Sequence, residues 1–107
     1  MKAEIEKYIR EVLGLDDDET VTMLLDEYIG TMKKIVAQLK PTVESGDLAQ
    51  LRKLAHTLKG CAGNIGHEPM RAQCLALEEA SRNGIAAECP AKIAEIEALS
   101  GQLLNEF

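Results

Sequence analysis

The 107-residue chain has no tryptophan, a single phenylalanine and two tyrosines. Rings therefore supply little of any core, and aliphatic packing must carry the fold. Cysteine is sparse too: Cys61, Cys74 and Cys89 are an odd number, with no Cys-x-x-Cys pair. That excludes a closed disulfide framework and a local zinc half-site, and no His-x-x-x-His pair offers another one. His56 and Cys61 are turned to different faces if the segment is helical. Reduced, mostly buried thiols are expected, and no metal. No window approaches the ~20 apolar residues of a membrane span. The opening Met1-Lys2-Ala3-Glu4-Ile5-Glu6-Lys7 alternates charged with apolar residues and lacks the apolar stretch of a secretory leader. A cytoplasmic protein without a membrane association is the expectation.

Positive charge is also in deficit. Lysine and arginine number 12 against 18 acidic residues, a formal net charge of -6. The phosphate backbone of nucleic acid rewards clustered cations, so nucleic acid is not an expected partner. No Gly-rich phosphate loop, Walker motif or kinase motif is present, so no ATP site and no cofactor are expected. Strand-like alternation, internal repeats and low-complexity tails are absent as well.

What remains is amphipathic helix. With 46% hydrophobic and 28% charged residues the balance is globular, and a chain of this length supports one core, so residues 1–107 are read as a single domain. The spacing of Ile5, Ile9, Val12 and Leu13 predicts a first short helix over about 3–13, ending at Gly14 and lying as a lid on the main body. Asp16 or Asp17 caps a second helix, with Asp16 and Glu19 at capping-box spacing. That helix carries Val21, Leu24, Leu25, Tyr28, Ile29, Met32, Ile35, Val36 and Leu39 on one face, and Pro41 ends or kinks it. Asp47, with Gln50 three residues on, opens a third helix that stops near Gly66. A fourth, over about 68–83, buries Met70, Cys74, Leu77 and Ala80 or Ser81 and stops at Asn83-Gly84. Pro90 opens a fifth with Ile93, Ile96, Leu99, Leu103 and Leu104 in register. Short connections make neighbours antiparallel. The expected fold is all-α: an antiparallel up-down-up-down four-helix bundle over about 16–106 with an additional short N-terminal helix over about 1–14.

The third helix holds the chemistry. Leu51, Leu54, Leu58, Ala62 and Ile65 form its core stripe, and His56 lies off that stripe. His56, Lys59, Gly60 and Gly63 fall at i, i+3, i+4 and i+7, which sets an imidazole and an ammonium beside two residues without side chains on one face. Two glycines weaken a helix by roughly 1 kcal/mol each, so close approach of a partner is their expected use, and both are expected to be exposed. From Leu48 to His67 there is no acidic residue, whereas Arg52, Lys53 and Lys59 are present. The stretch is locally basic and favours an anion near the ring.

The run Ala55-His56-Thr57-Leu58-Lys59-Gly60, followed by Cys61-Ala62 and Gly66, resembles the signature of histidine-containing phosphotransfer domains. Asp47, Leu77-Glu78 and Arg82-Asn83-Gly84 fall where such domains place similar residues, so the similarity extends over roughly 18–104. The resemblance implies a phosphoryl carrier of a multistep relay, without catalysis of its own from ATP. Its histidine accepts the group from a receiver-domain aspartate and passes it to another receiver. On this footing His56 is the phosphoryl acceptor, by resemblance at Nε2. Lys59 supplies positive charge to the phosphoryl oxygens, and Glu78 orients the ring through Nδ1. Gly60, Gly63, Arg52 and Lys53 serve partner docking. A histidine with its ordinary pKa near 6.5 suits the task, because a neutral ring is available as a nucleophile at neutral pH. The partners implied are a response-regulator receiver domain and a hybrid sensor histidine kinase, with the chain itself a monomer. Two alternatives stay open at this point: a bundle with a silent histidine that only binds a receiver domain, and a structural bundle whose glycines serve helix packing.

Overall fold

The two helices that frame the first half of the bundle start where an aspartate satisfies backbone N–H groups that a helix leaves unpaired. In the computed structural model, which describes residues 1–107, the order is α1 (Lys2–Glu11), α2 (Asp18–Glu44), α3 (Leu48–Ile65), α4 (Glu68–Arg82), a 3-10 turn at Ala86–Glu88 and α5 (Cys89–Leu104), with no strand. Asp17 rather than Asp16 caps α2, its carboxylate accepting from the Thr20 backbone N–H at 3.0 Å and the Thr20 hydroxyl at 2.9 Å. Asp47 does the same for α3 through the Gln50 N–H at 3.0 Å. At the other end of α3, Gly66 takes φ 77°, and the His67 N–H reaches back to the Ala62 carbonyl at 2.9 Å. This left-handed stop turns the chain sharply into α4.

Two expectations are corrected by the geometry. Pro41 neither ends nor breaks α2, which continues to Glu44. Pro41 and Ala37 are both exposed, so water can satisfy the carbonyl that loses its partner, while buried Leu39 and partly buried Val43 anchor the last turn to the core. Val12 and Leu13 do not extend the apolar face of α1. The helix stops at Glu11, the Leu15 N–H folds back onto the Ile9 carbonyl at 3.2 Å, and both side chains are exposed. Ile5 and Ile9 alone seat α1 in the core.

The four long helices form a ring in which α2 packs on α3, α3 on α4, α4 on α5 and α5 on α2, the α3–α4 pairing being the most extensive. With connections this short, successive helices run antiparallel, which is the up-down-up-down bundle. At 1.5 Å per residue, the 27 residues of α2 give a rod of roughly 40 Å, matching the 43 Å long axis of the molecule. One cluster of 22 buried hydrophobic residues fills the interior. All are aliphatic, alanine, methionine or cysteine apart from Tyr28. Leu24, Ile29, Val36, Leu99 and Leu104 sit at its margin, half-buried. The three cysteines are free thiols, Cys74 and Cys89 buried and Cys61 half-buried.

The short helix α1 packs across α2 and α3. Its Tyr8 ring lies directly on Gly66, where a Cβ would collide with the ring. The N-terminal ammonium meets Glu4 at 2.6 Å and Glu106 at 3.3 Å, tying α1 to the chain's other end.

Candidate functional site

On α3 the buried positions Leu51, Leu54, Ala55, Leu58, Ala62 and Ile65 face the core, which turns His56 outward. The side chain of His56 is 67% exposed. Its Nδ1 lies 2.5 Å from Oε2 of Glu78 on α4. The other oxygen of that carboxylate, Oε1, accepts from the Lys59 ammonium at 2.6 Å. Glu78 is only 8% exposed, so the two hydrogen bonds are what make its burial tolerable. The Lys59 ammonium holds the Glu78 carboxyl below the usual carboxylate range; burial opposes this and the hydrogen bond with His56 adds to it. Glu78 therefore stays ionised near neutral pH.

An ionised carboxylate accepts and does not donate. The proton in the short contact with His56 thus sits on Nδ1, and Nε2 becomes the nitrogen with a free lone pair. No hydrogen bond involves Nε2 of His56. A buried carboxylate that orients the ring from behind and leaves the far nitrogen open is the arrangement a nucleophilic imidazole requires.

Beside the ring runs an open cleft of about 640 Å3 lined by Ala49, Arg52, Lys53, His56, Thr57 and Glu78. Arg52 and Lys53 are exposed and belong to none of the six ion pairs, four of which use Arg10, His56, Lys59 and Arg71 and two the N-terminal ammonium. Gly60 is exposed, and a Cβ built there meets nothing within 4 Å. The expected exposure of Gly63 is corrected: it is half-buried, with Arg71 Cδ 3.3 Å from where its Cβ would stand. A bidentate pair with Glu68 at 2.6 and 2.8 Å holds Arg71 over that position. The open stripe therefore runs from the cleft past His56 to Gly60 and closes there.

The second histidine is a different object. His67 is 1% exposed, its Nδ1 lies 2.6 Å from the Tyr28 hydroxyl, and its Nε2 is buried with no partner. Burial pushes the pKa of His67 down to about 4, and the nearby N-terminal ammonium adds to the fall. Burial likewise raises the Tyr28 pKa, so the phenol keeps its proton and donates to a neutral ring. No set of three or more histidine, cysteine, aspartate or glutamate side chains converges as a metal site would need, and no helix is long and apolar enough to cross a membrane.

The contact between Glu78 and His56 expected from the resemblance is present. The signal was there: Cys74, Leu77, Glu78 and Ser81 fall at i, i+3, i+4 and i+7, the buried face of α4. A carboxylate on a core stripe needs a cation, and the structure supplies Lys59 from α3. The pairing of His67 with Tyr28 had no comparable periodic signal.

A helical bundle that offers one oriented, exposed imidazole beside a shallow cationic cleft, rather than an enclosed substrate pocket, has the form of a group carrier. The family model for the Hpt domain matches residues 23–106, most of the chain, and the chain belongs to that family. No curated protein and no solved structure gives a significant match. Hpt domains serve phosphotransfer in two-component signalling, as phosphoryl carriers that meet receiver domains and not as kinases.

Proposed function

We propose that His56 is the phosphoryl acceptor of this chain, taking the group from a receiver-domain aspartate and handing it to another receiver domain. The observation that carries the proposal is the His56 Nδ1 contact with buried Glu78 at 2.5 Å. It leaves Nε2 unprotonated on a largely exposed ring. In the transfer, the Nε2 lone pair forms the N–P bond while the P–O bond to the aspartyl carboxyl breaks, and the carboxylate leaves with the electron pair. The ring gains a positive charge, which the Glu78 carboxylate faces. Reversal onto a second aspartate restores the neutral ring.

Lys59 acts in this scheme through Glu78. Its ammonium keeps the carboxylate ionised and in place, so its charge reaches the phosphoryl group indirectly. Gly60 and the neighbouring open surface admit the receiver's backbone. The protein's share is positioning and electrostatics, which suits phosphoryl transfer through a loose transition state.

The test is to mix the chain with phosphorylated receiver domains and follow label that is acid-labile and base-stable. Label on His56, lost in His56→Gln with the fold intact, is the expected result. Binding of receivers with no label on any residue would overturn the carrier assignment and leave a receiver-binding module. The cytoplasm, where such relays operate, is the location we assign.

A further inference from the structure

We infer that Arg52 and Lys53 hold the phosphoryl oxygens once the group is on His56, so that the anion-binding half of the site lies one turn before the histidine rather than at Lys59. The inference rests on the carrier reading above and adds the residues that touch the transferred group.

Three observations meet here. The first is commitment: both oxygens of Glu78 are occupied, one by His56 and one by Lys59. Lys59 is thereby held on a carboxylate with its side chain 25% exposed, and Arg52 and Lys53 have no carboxylate to answer. Two unpaired cations next to a net charge of -6 mark a place where an anion is wanted. The second is direction. Helical side chains lean toward the N-terminus of their helix, so the His56 ring lies over the turn that carries Arg52 and Lys53, at i-4 and i-3. Nδ1 is turned to Glu78 of α4, which leaves Nε2 for the exposed part of the ring. The third is the cleft itself, lined by Ala49, Arg52, Lys53, His56, Thr57 and Glu78, its one carboxylate already engaged by His56 and Lys59, and roomy enough for a phosphoryl group and the incoming donor. Arginine's planar fork matches two phosphoryl oxygens at once, and lysine adds a point charge.

A small donor separates this role from docking. With phosphoramidate, Nε2 bonds to phosphorus as the P–N bond breaks and neutral ammonia leaves with the electron pair, and no receiver surface is involved. Phosphorylation of the full chain by phosphoramidate is followed by 31P NMR for the parent, Arg52→Ala, Lys53→Ala, the double variant, Arg52→Lys and, as a charge control, Lys7→Ala on the exposed side of α1. Exposed charge contacts are individually small, so the expected loss of rate is roughly threefold for each single variant and about tenfold for the double. Arg52→Lys falls between, Lys7→Ala matches the parent, and the differences shrink as salt is raised. In the same samples the phosphoryl group of the variants titrates at higher pH than in the parent, because the cations that favour its dianion are gone. A merely structural role would not move that titration.

Unchanged small-donor rates and an unmoved 31P titration, with slower transfer from receivers, would make Arg52 and Lys53 docking residues and overturn this inference while leaving the carrier reading intact. A parent that phosphoramidate never labels at His56 would overturn the carrier reading itself.

Discussion

His56 and His67 sit on the same stretch of chain, one in mid-α3 and one at the turn that ends it, yet the fold makes them opposites. His56 faces water with a carboxylate behind it; His67 faces the core with a phenol in front of it. The first environment fixes which nitrogen carries the proton and leaves the other open to react. The second suppresses charge and leaves Nε2 shut in. Same side chain, opposite uses: what decides is the partner on the adjacent helix, Glu78 from α4 for one and Tyr28 from α2 for the other. On the proposed carrier reading, the ionised partner and the open far side together are what make one ring fit to react.

The sharpest way to break the comparison is to remove each ring in turn. His56→Gln is expected to abolish phosphoryl acceptance with only a small fall in melting temperature, since it takes one hydrogen bond from buried Glu78 but leaves the Lys59 contact in place and opens no core cavity. His67→Ala is expected to do the reverse. It opens a cavity and orphans the buried Tyr28 hydroxyl, costing about 2–4 kcal/mol in denaturant unfolding, with acceptance on His56 retained. Label persisting in His56→Gln, or an unchanged stability in His67→Ala, would erase the distinction.

Acid offers a second way. The folded state holds His67 at about 4, against roughly 6.5 in the unfolded chain. As pH falls below 6.5 the unfolded chain takes up a proton that the folded one refuses, so stability drops through that window and stops changing on this account below about 4. The loss is up to about 3 kcal/mol. Glu78 shifts the other way, its carboxyl being lowered by Lys59. Its contribution is present above the ordinary glutamate pKa and disappears only as pH falls through the lower folded value. Urea midpoints measured from pH 7 to pH 4 should fall in the parent and lose most of the upper part of that slope in His67→Gln; a parallel slope in the two would show that His67 is not buried neutral.

Much of this contrast was legible before any coordinates. The core stripe of α3 alone places His56 outside, and the five helices follow from apolar spacing, two aspartate caps and the Gly66 and Gly84 stops. Besides the His67–Tyr28 pairing and the early stop of α1, three features were not legible. Pro41 was tolerated because its surroundings are wet, and exposure of a lost carbonyl partner is a tertiary fact. Gly63 was covered by Arg71 from another helix, which no spacing within α3 can reveal. The third is the Lys59–Glu78 contact: that Glu78 is buried and holds the ammonium follows from how α4 packs on α3, and it is the reason for proposing that Lys59 acts through the carboxylate. Local pattern sets faces, and contacts between faces set chemistry.

That commitment gives the third prediction, on the His56 side of the comparison. Glu78→Gln keeps the shape but removes the charge that faces the cationic ring during transfer, and it also leaves Lys59 without its counter-ion. Acceptance should fall about tenfold, equivalent to about 1.4 kcal/mol in the barrier, and 15N NMR should show His56 losing its single Nδ1–H tautomer. Lys59→Met should fall less, because the carboxylate remains, and should share the tautomer change only in part. A Lys59→Met variant slower than Glu78→Gln would place the ammonium on the phosphoryl group directly and reverse the order of roles.

The smallest effect is at Gly60, where stability and function should move in opposite directions. The position lies inside α3 without a positive φ, it is exposed, and an added Cβ meets nothing within 4 Å. Alanine there should stabilise the fold by about 1 kcal/mol, since glycine loses more backbone freedom on folding. Phosphorylation of Gly60→Ala by phosphoramidate should match the parent, because a small donor needs no backbone approach. Transfer from a receiver domain should slow from Gly to Ala to Gln as the side chain intrudes on the surface the receiver must reach. The same substitution at Gly63 sharpens the contrast within the motif: its methyl has to displace the Arg71 side chain, so the gain in stability should be smaller than at Gly60. Undiminished receiver transfer in Gly60→Gln would show that the partner approaches His56 from the cleft side alone, over Arg52 and Lys53, and that the open stripe beyond the histidine is bare surface.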